Sequence, residues 1–201
     1  MKVPNFQNGL GQWCKFAGVN GKSIQTESGS VWYDMHTRCN PKGSIQKRQP
    51  SYVGCTMSEN FKDFQFFAEW HINQIGYGNL GYEIDKDTLV AGNKLYSENT
   101  CVLIPQELNM FLITENTKRG AYPPGVYLDK RRGTFQSRLS IAGSYKYLGA
   151  FETPGLAFKA FVLAKEAEAR RWHKRLATGE FAVDPRVIER MRNWTFPEVV
   201  N

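Results

Sequence analysis

The side chains best suited to chemistry are concentrated in residues 82 to 109, YEIDKDTLVAGNKLYSENTCVLIPQELN. Within this stretch Lys86 stands between two aspartates, Asp85 and Asp87. Carboxylate oxygens bind hard cations such as Mg²⁺, and a lysine ammonium binds phosphate as a point charge. A lysine accepts a proton from water only when burial or a nearby metal favours its neutral form, whereas flanking carboxylates favour the charged form. The stretch therefore suits phosphate chemistry, and Lys86 decides whether that chemistry includes proton transfer.

A second group of chemically able residues contains three of the four cysteines and one histidine. Their types are those that Zn²⁺ prefers, and they are His36, Cys39, Cys55 and Cys101. The spacings contain no C-x-x-C pair, and single buried cysteines are common in protein cores. The sequence leaves two alternatives, a Zn²⁺ site or free thiols in the core, and the wide spacing indicates no disulfide framework.

Positive charge is concentrated in the C-terminal part of the chain. Residues 1 to 117 contain 10 Lys and Arg against 11 Asp and Glu, a net charge of −1, whereas residues 118 to 201 contain 16 against 8, a net charge of +8. A local excess of cations is what binding to a phosphate backbone requires, because neutralised phosphates release their counterions. The charge pattern favours a nucleic-acid partner over a purely protein partner.

The elements that must position these side chains follow from spacing. Apolar residues at helical intervals predict helices at 31 to 40 and 59 to 77. A longer helix should follow Thr153, with an apolar stripe that includes Leu156 and Leu163, and a short helix should cover 184 to 194. No stretch approaches the roughly 18 apolar residues of a membrane span, so we expect no membrane partner.

Three segments before the long helix predict an antiparallel meander, at 125 to 129, 134 to 142 and 144 to 151, because they are rich in aromatic and branched residues and are joined by short Gly-bearing turns. Strand alternation divides their side chains between a face covered by the helix and an exposed face. A polar, aromatic and basic exposed face of this kind suits the DNA major groove. The predicted DNA-binding residues are Tyr127, Lys130, Arg131, Arg132, Gln136, Arg138, Tyr145 and Tyr147.

Residues 124 to about 176 resemble the plant ethylene-response, or APETALA-type, DNA-binding domain. The shared features are an opening Gly-Val, an aromatic-x-x-x-aliphatic second strand, and YLGAF followed by ET and an alanine-bearing helix. The resemblance implies a three-stranded sheet packed on one helix that binds double-stranded DNA. The arginines that follow Gly-Val in the plant domain are replaced here by Tyr127 and Asp129, so the plant sequence preference does not carry over.

Residues 31 to 112 resemble phage homing endonucleases of the HNH, or His-Me finger, type. The order of motifs is W-x-x-M-x-x-RC, Y-x-x-C, F-x-x-F-x-x-W and then the stretch from residue 82. The resemblance implies a ββα-metal module in a phage-encoded protein of the host cytoplasm. Lys86 takes the place of the catalytic histidine, with Asp87 in the loop and Asn99 fastening that loop to the strand. Asp85 and Asn109 would bind Mg²⁺.

Together these features predict an α+β protein with an HNH-like (His-Me finger) module at 1 to 116, a linker at 117 to 124, and an APETALA-type DNA-binding module with C-terminal helices at 125 to 201. The expected function is binding of duplex DNA, with metal-dependent nicking or cutting if Lys86 serves as base or phosphate ligand. The alternative is a catalytically inactive DNA-binding or regulatory protein with a degenerate HNH site. Mg²⁺ is the expected cofactor of the active form, and Zn²⁺ is the alternative held by the cysteines.

Overall fold

A computed structural model describes residues 3 to 113, 121 to 141 and 143 to 197. The chain is of the mixed α+β class and divides into two compact units, Met1–Gln106 with Ala182–Asp184, and Glu107–Phe181 with Pro185–Asn201. Much of the predicted linker, residues 117 to 120, lies outside the described residues, and the predicted domain limits stay a prediction. No helix within the described ranges is long and apolar enough to cross a membrane.

The first unit is built from short strands and helices. They are β1 (Phe16–Val19), β2 (Lys22–Gln25), α1 (Glu27–Cys39), α2 (Ser44–Arg48), a 3₁₀ turn (Pro50–Tyr52), β3 (Thr56–Met57), α3 (Glu59–Lys62), α4 (Phe64–Ile72), β4 (Tyr82–Asp85), β5 (Leu95–Tyr96) and β6 (Val102–Pro105). β1 pairs with β2 and β4 with β6, both antiparallel, whereas β3 and β5 are parallel. The elements enclose a core of Met35, Cys55, Phe61, Phe67, Ile84, Tyr96, Cys101 and Leu103.

The predicted helices of the first unit are partly confirmed. α1 confirms the helix predicted at 31 to 40 and begins earlier, at Glu27. The single helix predicted at 59 to 77 is wrong, because it breaks at Asp63 into α3 and α4. The carboxylate of Asp63 accepts a hydrogen bond of 2.9 Å from the backbone N–H of Gln65. A short polar side chain that caps a new helix in this way competes with continuation of the old one.

The second unit contains the predicted meander. Its elements are α5 (Gln106–Leu112), whose first residue still belongs to the first unit, β7 (Val126–Asp129), β8 (Thr134–Ile141), β9 (Ser144–Phe151), α6 (Pro154–Ala177) and α7 (Pro185–Arg192). The three strands form one antiparallel sheet in the order β7, β8, β9. α6 begins as predicted, since the Thr153 hydroxyl accepts a 3.2 Å hydrogen bond from the backbone N–H of Leu156. It ends just before Gly179, whose φ of +77° suits the residue after a helix.

α6 packs against one face of the sheet with a different stripe from the predicted one. Its buried residues include Ala157, Phe161, Lys165, Glu168, Ala169, Trp172 and Leu176. Leu156 and Leu163 are 51% and 57% exposed, so their placement in the buried stripe is wrong. At 100° per residue, Trp172 lies within about 20° of Phe161 around the helix, whereas Leu156 is displaced by about 140°. The two large aromatic side chains therefore select the face that is buried.

Candidate functional site

One face of the sheet is left open opposite α6. Residues that pair directly across strands share a face, and the register pairs Tyr127 with Gln136 and Arg138 with Tyr147. A bulge at Ser137/Arg138 shifts the register of β9, so Leu148 is the extra residue and Tyr147 comes to lie opposite Arg138. The side chains that we name the open face are Tyr127, Gln136, Arg138, Tyr145 and Tyr147.

The open face is aromatic and accessible. Tyr127, Tyr145 and Tyr147 are 50%, 72% and 55% exposed, and Arg138 is also exposed. The guanidinium carbon of Arg138 lies 5.6 Å from the centre of the Tyr127 ring, a distance at which a cation is attracted by the ring. The structure thus brings all five predicted sheet residues onto one surface.

The turn between β7 and β8 carries three exposed cations, Lys130, Arg131 and Arg132, which we name the basic tip. The carboxylate of Asp129 holds this turn, because its Oδ1 accepts from the backbone N–H groups of Arg131 at 3.1 Å and Arg132 at 3.3 Å. The bonds that hold the turn use backbone N–H groups, so the three cationic side chains are exposed to solvent. Exposed cations on a hydrogen-bonded turn beside an aromatic face are suited to phosphate contacts.

The second candidate site is the loop between β4 and β6. Asp85 ends β4, and its Oδ1 accepts three hydrogen bonds, from the backbone N–H of Asp87 at 2.8 Å and from the backbone N–H and hydroxyl of Thr88 at 2.5 and 2.6 Å. One carboxylate oxygen of Asp85, the residue predicted to bind Mg²⁺, is thus engaged in forming a tight turn. Asn109, the other predicted ligand, lies on α5 in the second unit, and its sharing of a metal with Asp85 stays a prediction.

Lys86 is enclosed within this loop. It is only 4% exposed, and its Nζ forms an ion pair of 2.6 Å with Oδ2 of Asp87. Nζ also lies 5.6 Å from the ring centre of the buried Tyr96. Because Nζ is buried and paired with Asp87, it is not accessible to water or to a phosphate, and its contacts in this structure are with the loop and the core.

Asp87, the ion-pair partner of Lys86, is only partly accessible to solvent. Nearly half of its side chain is exposed, yet its Oδ1 is buried without a hydrogen-bond partner. Burial raises the pKa of the Asp87 carboxyl above its ordinary value, while the hydrogen bond and the charge of Lys86 oppose that rise. The ion pair with Lys86 therefore favours the charged form of Asp87.

The loop is fastened by an asparagine that the sequence prediction gave no role. Asn93, in the GNK segment, donates from Nδ2 to the backbone carbonyls of Lys86 at 2.9 Å and Leu95 at 2.7 Å. Its Oδ1 accepts from the backbone N–H of Leu95 at 3.0 Å. Asn99, to which the resemblance assigned this role, lies exposed in the turn of residues 97 to 100, and its part in fastening the loop stays a prediction. An Asn that follows a Gly in a turn is a recognisable signal, because its side chain readily bonds nearby backbone.

Glu98 is a further residue that holds the loop and was not predicted. Its two carboxylate oxygens accept from the Ser58 hydroxyl at 3.0 Å and the Asn60 amide at 2.6 Å. Burial alone would raise the pKa of Glu98, but bonds to its own backbone N–H, Asn60 and Ser58 leave that pKa below its ordinary value. The loop after β5 is thereby tied to the start of α3.

The three cysteines predicted to bind Zn²⁺ lie in the core or pack against it, whereas the fourth predicted ligand, His36, is half-buried. Cys55 and Cys101 are 3% and 0% exposed, and Cys39 packs against the same core. Burial raises the pKa of the Cys101 thiol to about 12 and that of Cys39 to about 11, so both are neutral thiols. The ring of His36 lies 3.9 Å from that of Trp32, centre to centre.

The residues predicted to bind Zn²⁺ do not gather into a metal site in the described parts of the chain. Among residues 3 to 113, 121 to 141 and 143 to 197, no group of three or more His, Cys, Asp and Glu side chains is placed to hold a metal ion. One of the two carboxylate oxygens of Asp85 already accepts three hydrogen bonds. Both cofactors therefore stay predictions from the sequence.

No family model, curated protein or solved structure matches the chain. The resemblances to HNH and APETALA-type proteins therefore remain hypotheses from the sequence. Of the two sites, the open face with its basic tip displays accessible groups of the predicted kind. The β4 to β6 loop instead holds its charged groups in internal contacts.

Substitution of Lys86 by Met tests the structural role of this lysine. We expect the free energy of unfolding to fall by about 1 to 3 kcal/mol at neutral pH, because Asp87 loses a charged hydrogen-bond partner. A carboxyl whose pKa is higher in the folded state than in the unfolded state lowers the free energy of unfolding at neutral pH. This loss shrinks as the pH falls below the folded-state pKa and is gone below the unfolded-state pKa. Removing Lys86 raises the pKa of Asp87 further, so the loss should shrink in acid.

Urea unfolding at neutral and mildly acidic pH measures this effect. The double variant Lys86→Met, Asp87→Asn is the control, because it lacks the carboxyl and should show no additional pH dependence. An equal loss at both pH values in Lys86→Met would show that the pair with Asp87 does not stabilise the loop.

Proposed function

We propose that this chain binds duplex DNA through the open face and the basic tip of its second unit, within the phage homing-endonuclease-like architecture that its sequence resembles. The observation that carries the proposal is that one sheet face presents Arg138, Gln136 and three exposed tyrosines, beside three exposed cations on a hydrogen-bonded turn. The net charge of +8 over residues 118 to 201 supports it.

The dimensions of the sheet suit the major groove. Neighbouring strands lie about 4.8 Å apart, so three strands span roughly 10 Å, and the major groove of B-DNA is about 12 Å wide. In that position Arg138 and Gln136 would face base edges, with the tyrosines packing against the groove. The basic tip would contact phosphates, which fix register and orientation without reading sequence.

A second candidate function is metal-dependent hydrolysis of phosphodiester bonds in the first unit. The observation that favours it is the chain order of strand β4, a loop with paired charged residues, strand β6 and helix α5, which is the order that the HNH resemblance implies. The burial of Lys86 and the engagement of Asp85 weigh against it. The inactive alternative, a DNA binder with a degenerate HNH site, therefore has the stronger support.

One set of incubations tests both candidates. The protein is mixed at low salt with a short labelled duplex in EDTA, and separately with supercoiled plasmid and Mg²⁺ or Mn²⁺. We expect the duplex to be retarded in a native gel and the plasmid to remain supercoiled. Absence of retardation would contradict DNA binding. Relaxed or linear plasmid that EDTA abolishes would instead establish the nuclease.

A further inference from the structure

Three polar side chains on the sheet form a linked row. The Gln136 amide donates from Nε2 to Oδ2 of Asp129 at 3.0 Å. Arg138 in turn donates from one terminal nitrogen to Oε1 of the same amide at 2.5 Å. Asp129 thus reaches Arg138 through Gln136, and the guanidinium is held on one side by this row and on another by the Tyr127 ring.

The direction of the row is fixed by chemistry. An ionised carboxylate only accepts hydrogen bonds, and a guanidinium only donates them. The Gln136 amide can serve both neighbours in a single orientation, with Nε2 toward Asp129 and Oε1 toward Arg138. The carboxylate of Asp129 therefore orients the Gln136 amide so that its Oε1 faces Arg138 and accepts a hydrogen bond from it.

Holding the guanidinium of Arg138 in place favours its hydrogen bonding to a base. Arginine reads guanine by donating two parallel hydrogen bonds to O6 and N7 in the major groove. A side chain already fixed in position loses less conformational freedom when it makes those bonds. One terminal nitrogen of Arg138 bonds to Gln136, and the exposed guanidinium has further N–H donors to present.

We propose that Asp129 is the positioning residue for Arg138, and that Arg138 held in this way reads a guanine of duplex DNA. This inference rests on the proposed function and adds the base that is read and the residue that sets the geometry. Asp129 itself touches no base. It acts through the amide of Gln136.

Asp129→Asn separates this role from the holding of the turn. The amide oxygen still accepts from the N–H groups of Arg131 and Arg132, as Oδ1 does now. The amide nitrogen replaces Oδ2 and is a donor, so Gln136 must turn over and present its own NH₂ to Arg138. Two donors then face each other, and the guanidinium loses its support.

The experiment selects bound sequences from a pool of duplex DNA with a randomised centre. The wild type should enrich sequences containing a guanine at a fixed place. We expect Asp129→Asn to reduce discrimination at that guanine by about tenfold to a hundredfold, the range for one bidentate contact, and Arg138→Ala to remove the same preference. Affinity for unselected duplex should be unchanged or slightly higher in Asp129→Asn, because a negative charge is lost.

The double variant Asp129→Asn, Gln136→Glu provides the rescue. The new carboxylate accepts from the new amide and also from Arg138, and the net charge equals that of the wild type. We expect guanine discrimination to return. A purely structural role for Asp129 would not be rescued in this way.

The outcomes are distinguishable. Retention of the wild-type preference by Asp129→Asn, or failure of the double variant to restore it, would overturn the role of Asp129. Binding of the pool by the wild type without enrichment of a guanine would overturn the inference and leave the proposed function standing. Failure of the wild type to retain any duplex would contradict the proposed function itself.

Discussion

Replacement of the basic tip, Lys130, Arg131 and Arg132, by glutamine is expected to weaken binding to duplex DNA about a hundredfold at 0.15 M salt. Each phosphate contact contributes about 0.9 to the slope of log affinity against log salt, so three lost contacts should reduce the slope by about 2.7. The turn should survive, because Asp129 holds it through backbone N–H groups. Fluorescence anisotropy of a labelled duplex across a range of salt concentrations measures both quantities.

A matched variant removes the same charge from another surface. Lys159, Arg170 and Lys174 are exposed on α6, which covers the opposite face of the sheet. Their replacement by glutamine should leave affinity and salt slope close to those of the wild type. Equal losses in the two triple variants would show that net charge, and not the basic tip, accounts for binding.

Gly125→Ala is expected to lower the free energy of unfolding of the second unit by about 2 to 6 kcal/mol. Gly125 has a φ of +73°, and an added Cβ would lie 2.1 Å from Cδ2 of Phe161 and 2.8 Å from the backbone oxygen of Arg138. The left-handed backbone costs about 1 to 3 kcal/mol for another residue, and overpacking costs a similar amount. The substitution would disturb the start of β7, where Phe161 of α6 packs against Gly125.

Gly133→Ala is the control for this effect. Gly133 has a similar φ of +66°, but no atom lies within 4 Å of its would-be Cβ. Gly133→Ala should therefore lower the free energy of unfolding only by the cost of the left-handed backbone, about 1 to 2 kcal/mol. Urea unfolding of the two variants compares them directly. Equal costs would mean that the contact with Phe161 is not what requires glycine at position 125.

The meander and α6 were predictable because their signals are local. Alternation with a period of two assigns strand faces, and Thr153 and Gly179 mark the limits of the helix. The break at Asp63 and the buried face of α6 were not predictable from apolar spacing. At Asp63 a single side-chain bond to the backbone of Gln65 overrides a continuous apolar pattern. In α6 packing against the sheet determines which of two apolar stripes is buried.

The candidate sites also contain features that the sequence predicts and features that depend on the folded structure. The open face follows from alternation, so its five residues were named from the sequence alone. The row from Asp129 to Arg138 depends on cross-strand register and side-chain conformation, which spacing does not specify. Motif position placed Lys86 at a catalytic centre, whereas its burial and its pair with Asp87 arise from how the loop folds on itself.

The salt dependence of wild-type affinity for duplex DNA measures whether the basic tip and the open face bind phosphates. If the basic tip and the open face bind DNA, log affinity should fall linearly with log salt, with a slope of about −2.7 or steeper from the tip cations alone. Unlabelled duplex should compete for the same site. The absence of binding at low salt, or an affinity that does not change with salt, would contradict DNA binding by the basic tip and the open face.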